Sequence, residues 1–438
     1  MQKKSFFISL APLRYFIGVA AVGVILTIAA TSWSYYFWRH TTLSWHEVNN
    51  FQKLIFLSDL GSEDNLGAWF SSMLLLSTAA VALICFVADK DVAGWLRAGW
   101  LMVAFLFAGL SFTEMGSVHE RLPLHLNTFF DFGSFMWVVW LGPIILAIPI
   151  FMSGFAWFRL RKIPLAFGWT LGGILLLSSI PVQEIIEVKI LPRAMGEGWR
   201  RPISHLILEE GSELAGMFCF LLAFSVAAYR LAKPFHAGTP TLTVTIGLSS
   251  WTVVMMMSMV ATVMAIGAAA MNNFLPKDAL SGTPTNWPPS IFAFLVGMVF
   301  FFLSDSNRPA VEKLALVTTG GSLLSLSALS SVTRIGVLEE GRILTIALLL
   351  FGSLLFVIAG RRHYALSTIL IFSALVVFMA PSWKAENHLL LCSVLIGCSF
   401  ILCESSYTAD VIGMKGDAVA GKLLYHAADQ SVSKQSSD

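Results

Sequence analysis

The chain has 438 residues, 56% of them hydrophobic and only 12% charged, with a mean hydropathy of +0.76, whereas an average soluble domain carries roughly 25% charged residues. That composition excludes a soluble globular domain. Lys and Arg total 28 against 26 Asp and Glu, and the net charge of +2 excludes a charge-driven nucleic-acid partner.

Residues 1–12, with Lys3 and Lys4, are expected to form a cytoplasmic N-terminal segment. The first apolar run imitates a signal peptide, but it is long and lacks a small-x-small cleavage motif, so an uncleaved span is expected. Runs long enough to cross a ~30 Å hydrocarbon layer number about twelve. They cover residues 13–38, 67–88, 97–117, 134–158, 165–189, 204–230, 242–271, 289–304, 312–332, 341–360, 363–381 and 387–404. The expected fold is therefore all-α, a polytopic membrane helix bundle with both termini cytoplasmic. A first membrane half covers 13–232, a second, more apolar half covers 233–404, and a polar cytoplasmic tail covers 405–438. Cys85, Cys219, Cys392, Cys398 and Cys403 all fall in apolar runs without pairing or metal spacing, and read as small hydrophobes.

Orientation follows from lysine and arginine in short loops, which favour the cytoplasmic side. With the N-terminus inside, the loops at 88–98, 159–162, 230–233 and 361–362 are all cytoplasmic, in the plasma or inner membrane. Lys189, Arg193, Arg200 and Arg201 break the pattern by falling outside, and Arg193, Arg200 and Arg201 are read as counterions to a nearby acidic cluster.

That cluster is the main functional signal. Glu114, His119 and Glu120 lie at the end of span 3, Glu184 and Glu187 at the end of span 5, and His205, Glu209, Glu210 and Glu213 at the start of span 6. An ionised carboxylate beside hydrocarbon costs several kcal/mol unless it is paired, protonated or bound to a cation. Under the expected topology the three segments converge at the outer leaflet. On span 6, His205, Glu209 and Glu213 are spaced by four and form one stripe, with Glu210 about 100° from Glu209. On span 5, Glu184 and Glu187 share a face just after Pro181, a helix-kinking residue. Carboxylates and imidazoles gathered from several helices suit a divalent metal, though the Glu-x-x-His pair of di-iron bundles is missing. The same set suits a proton relay, and acids at span ends also cap helices or pair with arginine.

A second acidic patch, Asp59, Glu63, Asp64 and Asn65 around Gly61, precedes span 2 and is expected outside. Oxygen-rich side chains around a glycine suit a hard cation, but the same composition is ordinary turn and cap chemistry.

The Glu63-x-Asn65 loop leading to Ser71 and Ser72, followed by Ser111, Glu114, His119 and Glu120 at the next span end, resembles a group of uncharacterised bacterial multi-span proteins. The likeness covers about residues 55–215. In that group an Asp is usual where Thr113 stands here. The resemblance implies a site in this region and no particular activity. A fainter likeness is to alkaline ceramidase-type membrane hydrolases, which have an acidic segment before a span and a Ser and His on the next, matched here by Ser117 and His119. Their His-x-x-x-His pair is missing from this chain, which puts a zinc centre in doubt.

The second half carries little chemistry. Met255, Met256, Met257, Met259 and Met264 crowd span 7, where gap-filling outweighs copper binding because no Cys or His is near. Leu338 to Gly341 repeats Leu208 to Gly211, but the flanks do not align. No phosphate loop, dinucleotide-binding glycine pattern, nucleophile elbow or paired CxxC is present. Three readings remain at this level. One is a cation- or proton-coupled transporter of a small ion or solute. The second is a metal-dependent membrane enzyme acting on a lipid-type substrate at the outer leaflet, and the third a structural membrane subunit.

Overall fold

The computed structural model describes residues 4–40, 66–89, 92–115, 136–186, 202–232, 234–235, 239–246 and 310–331, and the isolated positions 52, 55, 60 and 294. In chain order these form strand β1 (Lys4–Ser9) and helices α1 (Ala11–His40), α2 (Leu66–Ala88), α3 (Gly94–Met115) and α4 (Met136–Phe155). Helix α4 continues into a π-turn (Ala156–Leu160), followed by α5 (Pro164–Ile185) and α6 (Ile203–Leu231). Two strands, β2 (Pro234–Phe235) and β3 (Thr239–Ile246), follow, and a last described helix is α7 (Ala310–Ser331). Among the described residues, six helices, α1 to α6, are long and apolar enough to cross a membrane.

Spans 1 to 6 and span 9 of the sequence reading thus correspond to α1 to α6 and α7. The expectation for span 7 is corrected at its start: residues 239–246 are a strand, not a helix. Thr241 to Ile246 alternate Thr with Leu, Val and Ile, a period-two pattern of β-branched residues that favours a pleated strand. Strand β3 pairs antiparallel with β1, from Lys4 opposite Ile246 to Ser9 opposite Thr241, and with the two residues of β2. The sheet order is β1-β3-β2, so a small sheet adds to the helical bundle. The rest of span 7, spans 10 to 12 and the tail lie outside the described residues, as does span 8 apart from Phe294.

Helix α6 is the central element: α5, α2 and α1 all pack on it, and α2 packs along α3. Between membrane-type helices, where lipid is as apolar as any side chain, close approach rather than burial drives association. The α5–α6 contact shows it. A Cβ placed on Gly173 would stand 2.8 Å from the Phe220 ring and 3.0 Å from the Gly216 carbonyl oxygen, and one on Gly216 would stand 2.9 Å from Leu177. The contact between α3, α6 and the end of α4 is an edge-to-face aromatic cluster. Trp100 lies 4.8 Å from Phe155 and 5.5 Å from Phe224, and Phe107 lies 5.0 Å from Phe220, distances at which such pairs are favourable. Tyr15, Val19, Val22, Leu26 and Trp33 on α1, and Leu165 and Leu175 on α5, are exposed, as expected of faces turned to lipid.

The helices alternate in direction. Leu10 accepts a hydrogen bond from the Tyr229 hydroxyl while Gly211 adjoins Ile28, so α1 runs antiparallel to α6. Antiparallel too are α3, through Trp100 with Phe224 and Phe107 with Phe220, and α5, through Gly172 with Cys219 and Gly216 with Leu177. The ends of the bundle are therefore distinct. One, the basal end, holds the start of α1, the end of α2 and the end of α6; the other holds the start of α2, the end of α3 and the start of α6.

Candidate functional site

These contacts fix relative depth, because each helical turn rises about 5.4 Å. Two turns beyond Phe107 on α3 comes Glu114, and two turns back from Phe220 on α6 comes Glu213. On α5 the second turn after Leu177 reaches Glu184, and the second turn before its neighbour Gly216 reaches Glu209. Four carboxylate-bearing positions from three helices thus fall within about one helical turn of each other in depth, at the end opposite the basal one. The next turn of α6 toward its start carries His205.

Helices α2 and α3 supply the best-defined contacts of this layer. Ser71 Oγ donates to Glu114 Oε1 at 2.8 Å and lies 3.0 Å from the Ala68 carbonyl. The next residue, Ser72, donates through Oγ to the carbonyl of Ser111, one turn before Glu114, at 2.7 Å and stands 2.9 Å from Ser111 Oγ. Ser71, Ser72 and Ser111 are all buried, and their small side chains let the two helices approach closely enough for hydroxyl and carboxylate to meet. Helix α1 brings three more hydroxyls to this end, Thr27, Thr31 and Ser34, all buried. Thr27 and Thr31 return their protons to the carbonyls of Gly23 and Thr27, and Thr31 Oγ1 accepts from the Leu60 amide at 2.9 Å. Such back-bonding satisfies a hydroxyl inside an apolar helix while leaving lone pairs on its oxygen.

Of the residues singled out from the sequence, Glu114, His205, Glu209, Glu210 and Glu213 are half-buried side chains on α3 and α6. Glu184 is placed on α5 by its main chain. His119, Glu120, Glu187, the loop acids Asp59, Glu63 and Asp64 with Asn65, and the cations Arg193, Arg200 and Arg201 lie outside the described residues. Among the described residues, no three of His, Cys, Asp and Glu stand close enough to hold a metal ion. What the described residues form is a layer of carboxylates and hydroxyls.

A second polar site, at the basal end, was not foreseen. Asp89, just past α2, is 3% exposed, and one of its oxygens, Oδ2, accepts from both Trp100 Nε1 at 2.9 Å and Arg159 Nε. Arg159 is 8% exposed and sits on the π-turn. The sequence places Arg159 with Arg161 and Lys162 in a cytoplasmic basic loop; its side chain is buried against Asp89, while Arg161 and Lys162 are exposed. Asp89 and Arg159 are too far apart in sequence for a spacing rule to link them. A signal was available in Asp89 directly abutting the apolar run of span 2, since an acid there needs a cation once buried.

Residues 17–228, from α1 to α6, are similar to a family model described as a domain of unknown function, DUF8692. No curated protein and no solved structure matches the chain.

Proposed function

We propose that the chain is a multi-pass plasma-membrane protein of the cation- or proton-coupled transporter type. Its acidic end faces outward, both termini are cytoplasmic, and the carboxylate–hydroxyl layer is where the coupling ion binds. The reading rests on one observation: α3, α5 and α6 carry Glu114, Glu184, Glu209 and Glu213 to within about one turn of the same depth, with Ser71 donating to Glu114. Carboxylates crowded at the edge of a low-dielectric bundle repel one another, and a proton or small cation relieves that repulsion. Serine and threonine oxygens on α1 to α3 are suitable further ligands for a hard ion. A second reading, a metal-dependent hydrolase acting on a lipid-type substrate, draws support from His205 on the same stripe as Glu209 and Glu213.

The test is thermal unfolding of the purified protein in detergent across pH and across Na+, Mg2+, Ca2+ and Zn2+ titrations, because a ligand that binds only the folded state raises its stability. A pH- or cation-dependent rise in unfolding temperature that Glu114→Gln combined with Glu213→Gln abolishes is the expected result. A rise that survives the double substitution, or no rise at all, overturns the ion site. Zinc, iron or manganese at one equivalent in elemental analysis, lost in Glu209→Gln with Glu213→Gln, selects the hydrolase reading instead.

A further inference from the structure

Helix α4 is built unlike its neighbours. It carries two prolines inside the helix, Pro143 and Pro149, and ends in the π-turn. Each proline removes a backbone hydrogen bond and crowds the preceding turn, and a π-turn is a local misfit in the helical ladder, so all three are places where a helix bends. Burial along α4 is also uneven. Met152, Phe155, Ala156, Arg159 and Leu160 are buried, whereas Ile144, Leu146 and Ile150 are 53%, 66% and 64% exposed. Its foot is gripped from two sides. Phe155 packs edge-on to Trp100 and reaches Phe224, and Arg159 bonds the Asp89 carboxylate that Trp100 also holds. Among the described helices, α4 itself makes only a small contact with α5.

We infer that Asp89, Trp100 and Arg159 form a pivot that clamps the foot of α4 to α2 and α3, about which the upper length of α4 swings relative to the α2–α3–α6 core. The ion pair suits a pivot because both donors converge on one carboxylate oxygen, which fixes position without a broad packed face. It is strong for the same reason that it is buried: removing either partner strands the other charge away from water. Pro149, six residues before Phe155, and the π-turn directly after it flank the place where the arm leaves the clamp. This assignment is independent of any ion bound at the opposite end.

Spin labels at Ile144→Cys and Leu208→Cys, both exposed positions, report the distance from the arm to α6 in the full chain with its native cysteines replaced. A control pair at Leu83→Cys and Leu208→Cys reports α2 against α6. Asp89→Asn and Arg159→Gln are expected to add a second, displaced population to the arm distance and to leave the control distance unchanged. Arg159→Lys, which keeps the charge, is expected to resemble the parent, and Asp89→Asn alone carries the test if Arg159→Gln does not fold. An arm distance unaltered in every folded variant overturns the pivot. Equal broadening of both pairs also overturns it, because the ion pair would then hold the whole bundle rather than α4.

Discussion

Single side chains at the two ends of the bundle do opposite things. Asp89 is fully committed, with two donors on one oxygen, and its value lies in never being left alone. Asp89→Ala is expected to cost about 3–5 kcal/mol, the usual penalty for stranding a buried charge, while Asp89→Leu combined with Arg159→Leu recovers most of it. Reversible unfolding of the four corners of that cycle measures the difference. At the other end Ser71 is a donor to Glu114. Its replacement by Ala removes one charge-assisted hydrogen bond, about 1.5–3 kcal/mol. Cation- or pH-dependent stabilisation is therefore expected to weaken in Ser71→Ala more than in Ser77→Ala, whose hydroxyl bonds only the Met73 carbonyl of its own helix. Thermal unfolding of the two variants under the same titrations separates them. Glu114 was legible as an acid ending an apolar run, but nothing in the spacing of Ser71 and Glu114 says that the first donates to the second. That pairing depends on the register of two antiparallel helices.

At the scale of elements, the apolar runs made α1 to α6 readable, since nothing but a spanning helix suits some twenty consecutive apolar residues. What the runs hide is the identity of the faces. In a helix that is apolar all round, periodicity no longer marks the packed side. Glycine positions then carry the information. Gly173 and Gly216 are the point of closest approach between α5 and α6, and Gly168, on the same helix as Gly173, has open space around it. Gly173→Ala is expected to destabilise the protein by about 1–3 kcal/mol, because the methyl meets backbone as well as a ring. Gly168→Ala is expected to be neutral or slightly stabilising, as alanine favours helix over glycine. Unfolding midpoints in detergent compare the two directly. The start of span 7 was misjudged for a related reason. Thr-Leu-Thr-Val-Thr-Ile is apolar enough to join the following run, and its alternation, the true signal, is shorter than the run that absorbs it.

For the whole molecule, the family match ends at residue 228, three residues short of the end of α6. The sheet then ties the residues that follow α6 to those that precede α1. Strand β1 pairs with β3 from Lys4 opposite Ile246 to Ser9 opposite Thr241, so the six helices lie between two segments that meet. The acidic layer was legible as a convergence of three segments because alternating direction forces helix ends to common levels. The basal clamp was not, because it depends on which helices are neighbours.

The strand pairing sets an order of assembly. Synthesis proceeds from the N-terminal side, so β1 leaves the ribosome before its partner, which emerges only after α1 to α6 have been made. Until then the backbone of β1 has an open edge, and unpaired edges are where chains associate wrongly. Joining β1 to β3 is consequently the last event in building this unit, a latch that closes only on a finished set of helices. Nascent chains arrested with residue 232 outside the ribosome are expected to be clipped by trypsin at Lys3 and Lys4 faster than chains arrested beyond residue 246, and equal clipping would show that the latch does not act during synthesis.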